Sequence, residues 1–175
     1  MELFRAHEIP SFDTAVVTAH TAHGVKLWFG VSHACREALE PEIVIHGSAG
    51  TACWRYENEA WLKNDRGEQF RREIPDTSET RRSMMAAVLR RLANPAAPIC
   101  CVEMAARHTE LIEGLYRTAA ITTFPAGQVT WAGPNGTASM VPEVSGLEPA
   151  LRHAFSVQES LAHSGFALAS PQARR

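Results

Sequence analysis

The run VKLWFGVS from Val25 to Ser32 constrains this chain most. Val25, Leu27, Phe29 and Val31 fall on one side, and Lys26, Trp28, Gly30 and Ser32 on the other. A period of two fits extended chain and not helix. The preceding run from Thr14 to Thr21, TAVVTAHT, is rich in β-branched residues, and Ala22-His23-Gly24 links the two. Such a pair predicts an antiparallel hairpin. Further strands are expected at Glu42 to His46, Thr51 to Tyr56, Ala60 to Lys63 and Glu68 to Ile74. Pro41, Gly47, Glu57-Asn58-Glu59 and Asn64-Asp65-Arg66-Gly67 punctuate them. Short turns between neighbours describe a mostly antiparallel meander.

After Ile74 the period changes. Asp76 with Glu79 three residues on reads as a capping box. Met85, Val88, Leu89 and Leu92 then form a stripe at helical spacing, with Arg81, Arg82, Arg90 and Arg91 on the other faces, until Asn94-Pro95. A second helix fits Cys101 to Ala119, with Ala105, His108, Ile112, Leu115 and Ala119 along one side. Gln128 to Ala132 reads as a strand, Pro134-Asn135-Gly136 as a turn, and Leu147 to Ala162 as one or two closing helices. Strands followed by helices predict an α+β fold, with helices packed on one face of the sheet and the other face open. Trp28, Trp54 and Trp61 sit on strands, so part of that open face is expected to be large and apolar, a surface that meets another protein or a ligand.

The chain has 175 residues, the length of one ordinary domain spanning 1–175. Hydrophobic residues make up 45% and charged residues 21%, a globular composition. A formal net charge of -2 offers no field for nucleic acid or an anionic membrane surface. No apolar run reaches membrane-spanning length, and Met1 leads directly into polar sequence, so a cytoplasmic, reduced protein is expected. Its four cysteines, Cys35, Cys53, Cys100 and Cys101, then serve as small core residues.

Several constellations invite a chemical reading. His33 and Cys35 stand at i and i+2 of a strand end, where a base and a nucleophile would point the same way. Only Glu37 offers a nearby orienting carboxylate, and a strand-end histidine beside a buried thiol accounts for the pair. His20, His23, His33, His46 and the cysteines could ligate metal, but no CxxC or HExxH spacing occurs. Gly47-Ser48-Ala49-Gly50 spells the GxxG of an RNA-clamping loop, yet strands flank it here and a turn explains both glycines. The four arginines read as a solvated helix face, and His108 as a core or interface histidine. No dinucleotide, phosphate or nucleophile-elbow motif is present, and no metal site or catalytic residue is assigned.

The pieces as a set resemble a known family. Phe12-Asp13-Thr14 opens a hairpin, VSHAC and PEIVIHGSAGTACW follow, and CVEMAARHTELIEGLYRTA leads to Phe124-Pro125. This is similar to the C-terminal domain of the Gfo/Idh/MocA family of nicotinamide-dependent oxidoreductases. Ile45 to Gly50 matches the family's Ile-x-Gly-x-x-Gly turn, and Glu103 to Leu115 its late helix. The likeness runs roughly from Met1 to Pro125, more weakly through Leu147 to Phe155. The family's Rossmann domain, its Glu-Lys-Pro lysine and its Asp-x-x-x-His helix do not occur in this sequence.

The resemblance implies the later part of a longer enzyme that moves hydride between NAD or NADP and a sugar, cyclitol or related polyol. This chain would hold no cofactor and would be inactive alone. It would supply one wall of the substrate cleft, with Arg5 and His33 as polar substrate-binding groups, and a homo-oligomer interface on the open sheet face through Trp28, Trp54 and Trp61. A stand-alone binding or assembly protein that docks a protein partner on that face is the alternative.

Overall fold

The computed structural model describes residues 1–133 and 140–168; the expected turn at Pro134-Asn135-Gly136 lies outside them. In chain order the elements are β1 (Glu2–Arg5), β2 (Thr14–His20), β3 (Lys26–Ser32), β4 (Glu42–Gly47), β5 (Gly50–Arg55), β6 (Glu59–Asn64) and β7 (Gly67–Glu73). Helices α1 (Thr77–Ala93) and α2 (Val102–Thr118) follow, then β8 (Ile121–Thr123), β9 (Val129–Ala132), β10 (Val141–Val144) and α3 (Leu147–Val157). The protein is α+β with mostly antiparallel sheets. Among the described residues its strands are divided among three sheets rather than one continuous meander. The chain forms two compact units where its length suggested one: Met1–Ala38 joined by the chain from Glu110 onward, and Leu39–Thr109.

The first unit is built on a sheet of order β3-β2-β1-β8, antiparallel except for the parallel pair β1 and β8. β2 is its centre because its valines and small residues suit a strand covered on both sides: Thr14, Ala15, Val16 and Val17 are all buried. Alternation sends Phe4 and Val16 to one face, under Leu147, Ala150, Leu151 and Ala154 of α3. It sends Leu3, Ala15 and Val17 to the other, under Leu115 with Leu111 and Ile112 of α2. Helices cover both faces here, so the expectation of one open face does not hold for this sheet.

Trp28 belongs to the covered side. Its indole packs on Phe155 of α3, with ring centroids 5.7 Å apart, and its Nε1 donates to the Glu159 carbonyl at 2.9 Å. Trp28 is thus half-buried against its own chain rather than lying on a bare face. The closing helix is shorter than the pattern suggested. Gln158 is left-handed at φ 55° and stops α3, and the Glu2 carboxylate then accepts from the backbone N–H groups of Leu161 at 2.7 Å and Ala162 at 3.2 Å. β9 and β10 pair antiparallel and add Val129 and Val144 to the α3-side core.

The second unit is a four-stranded antiparallel meander, β4-β5-β6-β7, followed by α1. Its two faces differ in kind. Pairing aligns Val44, Cys53, Trp61 and Arg71 on one face, and Ile43, Trp54 and Ala60, then Ile45, Ala52, Leu62 and Phe70, on the other. The first face carries a charged ladder: Glu42 to Arg55 at 3.0 Å, Arg55 to Glu59 at 3.2 Å, Glu59 to Arg71 at 2.7 Å and Arg71 to Glu68 at 3.0 Å. The second is apolar and open, with Ile45 at 62% and Phe70 at 50% exposure. Trp54 and Trp61 thus point to opposite sides, so a single docking surface cannot use both.

Asp76 caps α1 as the sequence predicted, its Oδ1 accepting from Glu79 N–H at 2.9 Å. The apolar stripe of α1 is unpacked, however: Met84, Met85, Val88, Leu89 and Leu92 are exposed and the helix buries no residue. The GxxG segment is a turn. Gly47 pairs with Gly50 across Ser48-Ala49, joining β4 to β5.

Candidate functional site

The most chemically furnished part of the first unit is the end of its sheet where β1 and β3 finish and β2 begins. Phe4 pairs with Thr14 and Thr14 with Ser32, the last row of the register across β1, β2 and β3. One residue further along each strand stand Arg5, Asp13 and His33. Backbone bonds carry the order into that row: Asp13 N–H donates to Phe4 O at 3.0 Å and His33 N–H to Asp13 O at 2.9 Å. The two residues expected to bind substrate, Arg5 and His33, therefore flank Asp13 at one sheet edge.

Arg5 is half-buried and anchored. Its Nε donates to Thr123 Oγ1 at 3.0 Å, across the parallel pairing with β8, and Nη1 to Ile9 O at 3.1 Å. A guanidinium has five N–H donors, so further donors remain for a ligand. His33 is exposed. Behind it, Ser32 Oγ bonds Thr14 Oγ1 at 2.8 Å and accepts from Ala34 N–H at 3.0 Å, which fixes the exit from β3.

The residue types that sequence reasoning missed are His7 and Asp13. Asp13 is buried, its side chain 3% exposed, and its Oδ2 accepts from the backbone N–H groups of Ala6 and His7, each at 2.8 Å. The same oxygen meets His7 Nδ1 at 2.7 Å. Burying a carboxylate is costly unless donors surround it, and here four do, the fourth being Thr14 Oγ1, which donates to Oδ1 at 3.2 Å. The HEIPSFD segment carried the signal: a His and an Asp in a Pro-containing loop between two strands, where the chain can fold back on itself.

Trp131 of β9 stands edge-on to His7, with ring centroids 6.1 Å apart, and is 47% exposed. Arg5, His7, His33 and Trp131 give this end of the unit hydrogen-bonding groups beside an aromatic surface. Few polar groups set against an aromatic wall is the usual chemistry of a small-molecule site.

The other constellations resolve differently. Cys35 is half-buried in the α3-side core, and burial pushes its thiol up, against the lowering effect of Ser32. A thiol held protonated is a poor nucleophile, which disfavours a Cys35–His33 catalytic pair. His46 Nδ1 bonds Thr51 Oγ1 at 3.3 Å across its hairpin, and His108 is exposed. No group of three or more His, Cys, Asp or Glu suited to a metal ion is gathered among the described residues. Nor is any helix among them long and apolar enough to cross a membrane.

Among the described residues, neither the Gly47–Gly50 turn nor the Gly146 turn matches a dinucleotide-binding loop. Gly47 and Gly50 join strand to strand. Gly146 does join β10 to α3, but Glu148 lies in the first turn of that helix, and no second glycine follows to let a pyrophosphate approach the backbone. Comparison with protein-family models, curated proteins and solved structures gave no match.

Proposed function

We propose that this chain is the substrate-side and oligomerisation part of an oxidoreductase of the Gfo/Idh/MocA type, acting on a sugar, cyclitol or related polyol. The observation that carries the reading is the row of Arg5, Asp13 and His33 at one sheet end. Beside it are the His7 ring and the exposed Trp131 indole. Polyols are bound through hydroxyl hydrogen bonds and through their C–H faces on aromatic rings, and both kinds of group are present. NAD or NADP would be held by another polypeptide segment, since the residues here do not suit it. The open face of the second unit, bearing Ile43, Ile45, Trp54, Leu62 and Phe70, would pair with a second copy.

Calorimetric titration of the isolated chain tests this. Saturable binding of a cyclitol or hexose, weakened by Arg5→Ala and by His33→Ala, with no tight binding of NADH or NADPH, is the expected result. Tight dinucleotide binding by this chain alone would sink the reading. The open apolar face also favours the alternative of a stand-alone assembly protein. That reading expects no polyol binding under the same conditions.

A further inference from the structure

We propose that His7 is a dedicated acceptor for a ligand hydroxyl, with Asp13 fixing which ring nitrogen carries the proton; the ligand class rests on the polyol reading above. Asp13 Oδ2 already accepts two backbone N–H groups, so toward His7 Nδ1, 2.7 Å away, it is again the acceptor. Nδ1 must then carry the hydrogen. In the neutral ring this leaves Nε2 with a lone pair and no hydrogen, and among the described residues it has no hydrogen-bond partner. The side chain is 29% exposed while the carboxylate behind it is 3% exposed. The pair therefore presents one acceptor outward from a rigid, buried base.

This arrangement exceeds what the loop needs structurally. The two backbone bonds to Asp13 close the turn without the imidazole. Adding His7 to the same oxygen sets the tautomer and the direction of the free nitrogen, as second-layer carboxylates do for working histidines. Arg5 offers only donors, so an acceptor two residues on, in the loop that follows β1, lets the site distinguish a hydroxyl, which can give and take hydrogen bonds, from an anion, which can only take them.

Long-range proton–nitrogen NMR of the histidines, combined with titration by myo-inositol and D-glucose, tests the role. The free protein should show His7 protonated at Nδ1, and a bound polyol should shift its Nε2 resonance. His7→Gln keeps the Asp13 carboxylate for the two backbone N–H groups, so it should fold normally yet weaken polyol binding roughly tenfold, the worth of one such bond. Asp13→Asn can donate to Nδ1 and push the ring proton to Nε2, with a similar loss. Should that variant fail to fold, His7→Gln still decides. A purely structural His7 would lower the melting temperature of His7→Gln and leave polyol affinity unmoved, which overturns the proposal while the polyol reading stands. A ring protonated at Nε2 in the free protein also overturns the proposal alone. Absence of any polyol binding by the wild-type chain overturns the polyol reading and this role with it.

Discussion

A β-carbon placed on Gly30 would stand 2.7 Å from Cη2 of Trp28, two residues earlier on the same face of β3. The indole lies over the space that the missing side chain leaves, and there it reaches α3: Leu151 is 3.4 Å from the same point. Gly30→Ala forces the ring off its seat and disturbs its bond to the Glu159 carbonyl. Overpacking of this kind costs about 1–3 kcal/mol, so urea midpoints should fall accordingly and tryptophan emission should shift. An unchanged midpoint would mean that Trp28 is not seated as described.

Gly50 supports a second, sharper contrast. It adopts φ 143°, and a β-carbon there would come within 2.2 Å of the Lys63 carbonyl oxygen, part of the backbone of the adjoining strand. Gly47, on the other side of the turn, would meet nothing closer than 3.6 Å. Gly50→Ala should therefore destabilise by about 1–3 kcal/mol or more and Gly47→Ala by a few tenths, measured by chemical denaturation. Equal effects would contradict the role of Gly50 as the tight partner of β6.

The strands between Thr14 and Ile74, the strand at Gln128 to Ala132, the capping residue Asp76 and the turn at Gly47 to Gly50 were legible because each is a local matter of period, side-chain reach or φ, whereas β1, β8 and β10, three or four residues each, are too short to show a period and were not expected. What was not legible came from pairing distant segments. Parallel pairing of β1 with β8 joins Leu3 to Ile121, and no local pattern announces it. That pairing brings α2 over the face of Leu3, Ala15 and Val17, and so covers a face the alternation alone left open. Trp28 and Trp61 read alike as strand tryptophans. Their different fates depend on α3 in one case and on a charged ladder in the other. At the candidate site, His33 was visible at a strand end, while Arg5 was named only through the family resemblance. Asp13 escaped notice because its burial depends on a loop folding back over it.

The buried thiols give a pH prediction. Burial raises the pKa of Cys35; burial, then the hydrogen bond from Sγ to Glu42 Oε1 at 3.3 Å, raises that of Cys53. A thiol that holds its proton more tightly folded than unfolded stabilises the fold fully below its unfolded pKa, near about 8.5. That contribution is lost as pH climbs through the folded value. Stability from urea titrations should therefore decline between pH 8 and pH 10, and Cys53→Ala should show a shallower decline than wild type even if it is less stable at pH 8. Iodoacetamide at pH 8 should label the exposed Cys100 well before Cys53. An equal alkaline slope in the variant would show that Cys53 does not titrate as its surroundings require.

The two faces of the second unit make the oligomer proposal testable with paired substitutions. Ile45 and Leu62 lie in one cross-strand row on the open apolar face, whereas Trp61 lies on the opposite face, with Lys63 Nζ 4.8 Å from its ring centroid. Burying a charge without a partner at a subunit interface costs several kcal/mol, enough to dissociate an ordinary dimer. Light scattering at micromolar concentration should give twice the chain mass for the wild type, and the monomer mass for Ile45→Arg with Leu62→Arg. Trp61→Ala removes its contact with Lys63 but leaves the apolar row intact, so it should remain dimeric. A wild-type monomer would remove the self-association proposal, and dissociation by Trp61→Ala alone would move the interface to the charged face.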